Sequence, residues 1–133
     1  MTGTVSSMRR WLDQRAGEPY AYLTTIGRRT GRPHRIEIWF AVEDGRMYLM
    51  SGGRDRSDWL RNIQENPRVA IELGDATVDG IARIVEPWTG EDARARDLLV
   101  EKYATHGNPL DNWKRRSLPV VIEFPDSATE SLR

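Results

Sequence analysis

His34-Arg35-Ile36-Glu37-Ile38-Trp39-Phe40-Ala41-Val42-Glu43-Asp44-Gly45-Arg46-Met47-Tyr48-Leu49-Met50-Ser51 is the stretch from which the fold is read. Residues 34–43 alternate, putting Ile36, Ile38, Phe40 and Val42 on one face and Arg35, Glu37, Trp39 and Ala41 on the other. That is the period of a strand with one side on a core. Asp44-Gly45 then supplies the chemistry of a tight two-residue turn, so 34–43 and 46–51 are expected to pair as an antiparallel hairpin. Similar β-branched or aromatic runs occur at Tyr20 to Ile26, Arg68 to Leu73, Thr77 to Glu86 and Leu118 to Phe124.

Only three segments read as helix. Val5, Met8 and Leu12 recur at helical spacing before Gly17 and Pro19; Ser57 to Asn66 stops at Pro67; Gly90 to Thr105 follows the capping residue Thr89. Six strands with short links cannot make a parallel sheet, because each parallel crossover requires a helix-length connection. The expectation is an α+β, mainly β chain: a six-stranded antiparallel barrel with peripheral helices, the first of them covering one end of the barrel. Residues 126–133 are expected to fray.

Composition narrows the function. The 133 residues form one domain, 1–133, without repeat or linker, and they contain no cysteine, which removes disulfides, thiolate nucleophiles and cysteine metal sites. A reducing cytoplasm is the default home. The longest apolar run, Ile38 to Val42, is far short of a membrane span, and the first residues lack an export signal. His34 and His106 have no metal-ligand spacing, and neither H-E-x-x-H nor G-x-S-x-G is present, so no metal and no hydrolytic triad is expected.

Lysine plus arginine and aspartate plus glutamate both number 20, yet residues 27–35, GRRTGRPHR, hold four arginines, a histidine and no acid. Such a turn suits a small anion better than a nucleic acid, since no aromatic stacking platform is interleaved with it. Glycines let the backbone bend and approach a ligand, and guanidinium forks match phosphate and carboxylate. The same residues also suit a merely soluble hairpin turn, and the composition does not choose. Ser51-Gly52-Gly53, between a strand end and the Trp59 helix, offers bare backbone to a flat heterocycle or serves as an ordinary connection. Trp39, Tyr48 and Tyr103 either wall a pocket, with a hydroxyl as proton donor, or pack.

Taken together, TTIGRRTGRPHRIEIWF, the Asp-Gly hairpin and SGGRDRSDWLRNIQENPRV resemble the deazaflavin-dependent nitroreductase family. The elements T-x-G-R-x-[ST]-G at Thr25 to Gly31 and W-x-x-N-x-x-x-N-P-x-V at Trp59 to Val69 carry the likeness. It implies a split β-barrel of the FMN-binding type and an oxidoreductase that transfers hydride from reduced coenzyme F420 to a small acceptor, whether quinone, nitro compound or enone. Arg28, Arg29, Thr30 and Arg35 would serve the phosphate and oligoglutamate tail; Ser51, Gly52 and Gly53 would border the ring, beside the Trp59 helix. No protein catalytic residue is implied, because such a cofactor carries the difficult chemistry. Where the nitro-reducing branch reads R-x-x-P-L, this chain reads Arg35-Ile36-Glu37-Ile38-Trp39, which gives the pocket a different wall. The alternatives are an FMN-binding split barrel and a non-catalytic cofactor- or haem-binding module. Split barrels of this type often pair, leaving monomer and homodimer both open.

Overall fold

The computed structural model describes residues 3–104 and 110–125. Seven strands, β1 (Ala21–Ile26), β2 (Pro33–Ile38), β3 (Ala41–Glu43), β4 (Arg46–Ser51), β5 (Arg68–Leu73), β6 (Ala76–Ile84) and β7 (Leu118–Glu123), form one antiparallel sheet in the order β2-β1-β5-β6-β7-β4-β3. Six strands were expected. The difference lies in the segment 34–43, which breaks at Trp39-Phe40 into β2 and β3.

These two strands adjoin in sequence but lie at opposite ends of the strand order: β2 pairs with β1, β3 with β4. Only a sheet curled on itself can satisfy both, so the break is where the barrel nearly closes. Phe40, wholly buried, marks the crossing, and its backbone is held by Tyr103: the hydroxyl accepts the Phe40 N–H at 3.1 Å and donates to Pro19 O at 2.8 Å.

The predicted turn forms with both central residues in the left-handed region, Asp44 at φ 53° and Gly45 at φ 75°. Strand alternation then builds the core. Leu23, Val69, Ile71, Leu73 and Val78 point inward, joined by Leu60 and Ile63 from α2 (Asp58–Glu65) and by Met8 and Leu12 from α1 (Gly3–Gln14). Each such side chain contributes about 1.5–3 kcal/mol by leaving water. Strand β4 is buried on both faces: Met47 and Leu49 enter this core, while Tyr48 and Met50 meet Ala95 and Leu99 of α3 (Gly90–Tyr103).

Thr89 caps α3 as expected, its hydroxyl accepting the Asp92 N–H at 3.1 Å. That helix ends at Tyr103, with Ala104 already extended, short of the expected Thr105; the tail expected to fray and the side chain of Val5 lie outside what is described. A fourth helix, α4 (Asp111–Arg116), was not foreseen; it makes a salt bridge to α3 through Lys114 Nζ and Asp97 at 2.8 Å. Among the described residues, no helix is long and apolar enough to cross a membrane.

Candidate functional site

The basic turn is built from glycine outward. Gly27 donates to Arg32 O at 2.7 Å and accepts from Gly31 N at 2.8 Å, and Gly31 takes φ 73°. A Cβ on Gly27 would lie 2.8 Å from His34 Nε2 and 3.0 Å from Arg32 O, so a larger residue there would have to displace the imidazole. Thr30 Oγ1 accepts the Arg32 N–H at 3.2 Å.

The four arginines of this block then divide. Arg28 turns inward: its guanidinium reaches Asn62 Oδ1 at 3.0 Å and Asp58 Oδ1 at 3.2 Å, and its own backbone N–H donates to the same Asn62 oxygen at 3.2 Å. Buried Asn62 completes the clamp by donating to Thr25 Oγ1 at 3.0 Å. Arg35 lies on β2, paired with Glu72 through two bonds of 2.7 and 3.2 Å and stacked 3.8 Å over the Tyr22 ring. That pairing holds the Glu72 carboxyl below its ordinary range. Arg29, Thr30, Arg32 and His34 remain exposed on the turn.

The glycine loop is fastened to the same helix. Ser51 Oγ donates to Arg54 O at 2.7 Å, so in its 2.8 Å contact with Ser57 Oγ the proton comes from Ser57, the residue at the N-cap position of α2, whose hydroxyl makes no bond to the helix. Arg54, at φ 55°, reaches Arg116 O at 2.6 Å and ties the loop to α4. Both loops therefore converge on the first turn of α2, where Asp58 meets Arg28 and the neighbouring Ser57 meets Ser51. Trp59, half-buried, packs on the barrel core from that turn.

Gly52 and Gly53 are exposed, but their surroundings differ. A Cβ on Gly52 would sit 3.5 Å from Trp113 Nε1 and 4.0 Å from Ser117 Oγ, a buried hydroxyl with no hydrogen-bond partner among the described residues. Beyond Trp113 stands Trp39, edge-on at 5.5 Å, itself stacked on Tyr103 at 4.3 Å and 2°. The bare Gly52 backbone thus faces an aromatic wall, in keeping with a flat ligand.

Tyr48 and Tyr103 both have their hydroxyls engaged, Tyr48 donating to Glu91 at 2.9 Å and Tyr103 to backbone carbonyl. Burial raises both phenols above their ordinary value. His106 lies outside the described residues. A recess of about 410 Å³ is lined by Arg9, Arg10, Asp13 and Gln14 of α1. It shares no residue with either loop, and without a buried donor it makes no argument for a ligand. Asn62, Trp113 and Ser117 were not singled out from sequence; only Asn62 had a signal, its place in the W-x-x-N spacing.

The family described as F420H(2)-dependent quinone reductase matches residues 5–125. An F420H(2)-dependent quinone reductase of Mycobacterium tuberculosis strain H37Rv is 31% identical over 108 residues, 78% of this chain and 72% of the relative. Among solved structures, a conserved hypothetical protein of Mycobacterium tuberculosis aligns at TM-score 0.67 and 26% identity over 85% of this chain and 78% of that one. The F420-H2 dependent reductase FDR-A aligns at TM-score 0.65 and 24% identity, over 80% and 95% respectively, a likeness of fold.

Proposed function

This chain belongs to the F420H(2)-dependent quinone reductase family, and from that premise we propose that it transfers a hydride from reduced F420 to a quinone, with the cofactor held between its two α2-anchored loops. One observation supports this reading above the others. The Arg28 clamp on Asn62 and Asp58 and the Ser51–Ser57 bond fix a basic turn and a bare glycine backbone to one helical turn. An anionic tail and a planar ring demand those two surfaces at a fixed separation.

The residues fit the group. Exposed Arg29 and Arg32 offer separated guanidinium forks to phosphate and carboxylates, with the Thr30 hydroxyl beside them. Gly52 leaves a cradle that a methyl group would fill, and the orphan Ser117 hydroxyl beneath it is a polar partner for a ring edge. When bound, the reduced deazaflavin supplies the hydride. The chain's own part is to position: Arg28 does so by stiffening the turn, Ser51 and Ser57 by fixing the loop, Trp59 by seating α2 on the core.

The test is a fluorescence titration of F420 with micromolar protein, alongside FMN and haem. Saturable quenching of F420, no quenching of FMN and no shift of the haem Soret absorption are the expected results. An Arg29→Ala/Arg32→Ala variant is expected to keep its melting temperature and bind F420 roughly thirtyfold more weakly, with a shallower dependence on salt. Failure of the unaltered protein to bind F420 overturns the reading.

A further inference from the structure

We propose that Trp39 and Trp113 form the seat of the acceptor, Trp39 stacking on a planar quinone and the Trp113 indole N–H donating to its oxygen; this rests on the quinone-reductase reading above. Trp39 is 40% exposed, and it stands where the chain crosses between β2 and β3. Its orientation is fixed. One face lies flat on Tyr103, and Tyr103 is itself anchored through its hydroxyl to the backbone of Phe40 and Pro19. A ring covered on one side by a pinned neighbour offers its other side as a ready-made stacking surface.

Trp113 closes the corner. Its ring meets Trp39 at 74°, and its Nε1 is 3.5 Å from the point that a Gly52 Cβ would occupy. No described residue accepts that N–H. An indole donor directed at the bare loop, next to an exposed indole face, matches a flat molecule with an oxygen on its rim. Electron-poor quinone rings stack favourably on electron-rich indole.

The chemistry gives the donor a role. On accepting a hydride, the quinone gains two electrons and one hydrogen nucleus, and negative charge gathers on one oxygen. A proton from water completes the hydroquinone, and the donor is left oxidised. A hydrogen bond from Trp113 to that oxygen strengthens as the charge grows, so it lowers the barrier as well as orienting the acceptor.

The test uses the full chain with Trp39→Leu, Trp39→Phe and Trp113→Phe, and 2-methyl-1,4-naphthoquinone as the probe. Quenching of tryptophan fluorescence by the quinone reports binding without the cofactor; KM and kcat with reduced F420 report turnover; F420 affinity is the control. Trp39→Leu is expected to raise both the quenching midpoint and KM about tenfold, with F420 affinity within twofold of the unaltered protein. Trp39→Phe, which keeps a stacking face, is expected to recover most of that loss. Trp113→Phe preserves the ring and removes the donor, so kcat should fall about tenfold. Unchanged quinone midpoints and KM in both Trp39→Leu and Trp113→Phe, with F420 binding intact, overturn the seat alone. Equal loss of F420 affinity in Trp39→Leu overturns it as well, by assigning the ring to the cofactor. Absence of F420 binding by the unaltered protein strikes the underlying reading instead, while the cofactor-free quenching still judges the seat.

Discussion

The basic turn over residues 27–32 and the glycine loop over residues 51–57 grip the same turn of α2, but they use their polar groups in opposite ways. In the turn, one arginine, Arg28, is drawn inward as a fastener while Arg29 and Arg32 stay outside. In the loop, Ser51 and Ser57 turn their hydroxyls inward, Ser51 to Arg54 and Ser57 to Ser51, and Gly52-Gly53 face out as bare backbone ahead of the exposed Arg54, Asp55 and Arg56. The turn therefore displays guanidiniums of one sign with no acid among them, whereas the loop sets a bare glycine pair beside charges of both signs. A dense basic run is not a ligand site as a whole; each guanidinium has to be followed to its partner.

The strongest way to break this contrast is through Asn62, which fastens the turn alone. Asn62→Leu removes the acceptor of the Arg28 N–H and guanidinium and the donor to Thr25 Oγ1, leaving polar groups in a site that is almost wholly buried. Unmet buried groups cost about 1–3 kcal/mol each, so a loss near 3 kcal/mol and a fall of about 10 °C in melting temperature are expected. Thermal unfolding followed by circular dichroism checks it. A fall under about 2 °C would mean that the turn holds its shape without α2.

That partner explains how much was legible in the sequence. The Asp44-Gly45 turn, the alternation of β1 and β5 and the Thr89 cap are local chemistry, and each appears where the residues place it. The break between β2 and β3 left no local trace, because Ile36, Ile38, Phe40 and Val42 keep one alternation straight across it while the two halves pair at opposite edges. Helix α4 is six residues long, buries none of them and starts after Leu110 at φ 62°, so neither periodicity nor capping announces it. The site divides the same way. The arginines and glycines were visible as residue types, but whether Arg28 or Arg29 faces a ligand is decided by Asn62 and Asp58, more than 25 residues away in the chain. Glu72, the partner of Arg35, is equally remote.

The two adjacent glycines of the loop sharpen the comparison at smaller scale. A methyl on Gly53 would approach Ser57 Oγ to 2.6 Å and disturb its bond to Ser51, whereas one on Gly52 meets Trp113 at an ordinary 3.5 Å. Gly53→Ala is thus expected to destabilise by about 1–2 kcal/mol. Gly52→Ala should fold within about 0.5 kcal/mol of the unaltered protein yet bind F420 roughly tenfold more weakly, since the methyl occupies the cradle. Melting curves and fluorescence titrations on the pair separate the two roles. Equal F420 affinity in Gly52→Ala would remove the ring from this loop.

Arg35 supplies the finest test, because it sits in the basic run yet is already matched by Glu72 at 2.7 Å. If that pairing holds when an anionic tail is bound, Arg35→Ala should alter F420 affinity by less than twofold, against the roughly thirtyfold expected for the Arg29 and Arg32 pair. Its effect on stability is expected to be small, about a degree in melting temperature, since the pair is half exposed and screened. The pH dependence fixes its origin. Arg35 holds the folded-state pKa of Glu72 below the ordinary 4.5, so the contribution is present in full above that value and is lost as pH falls through the lowered one. Melting temperatures of Arg35→Ala and the unaltered chain should therefore differ at pH 7 and converge as the pH is taken down through the lowered Glu72 pKa. A tenfold loss of F420 affinity in Arg35→Ala would show instead that Glu72 releases its partner on binding, placing Arg35 with the exposed arginines of the turn.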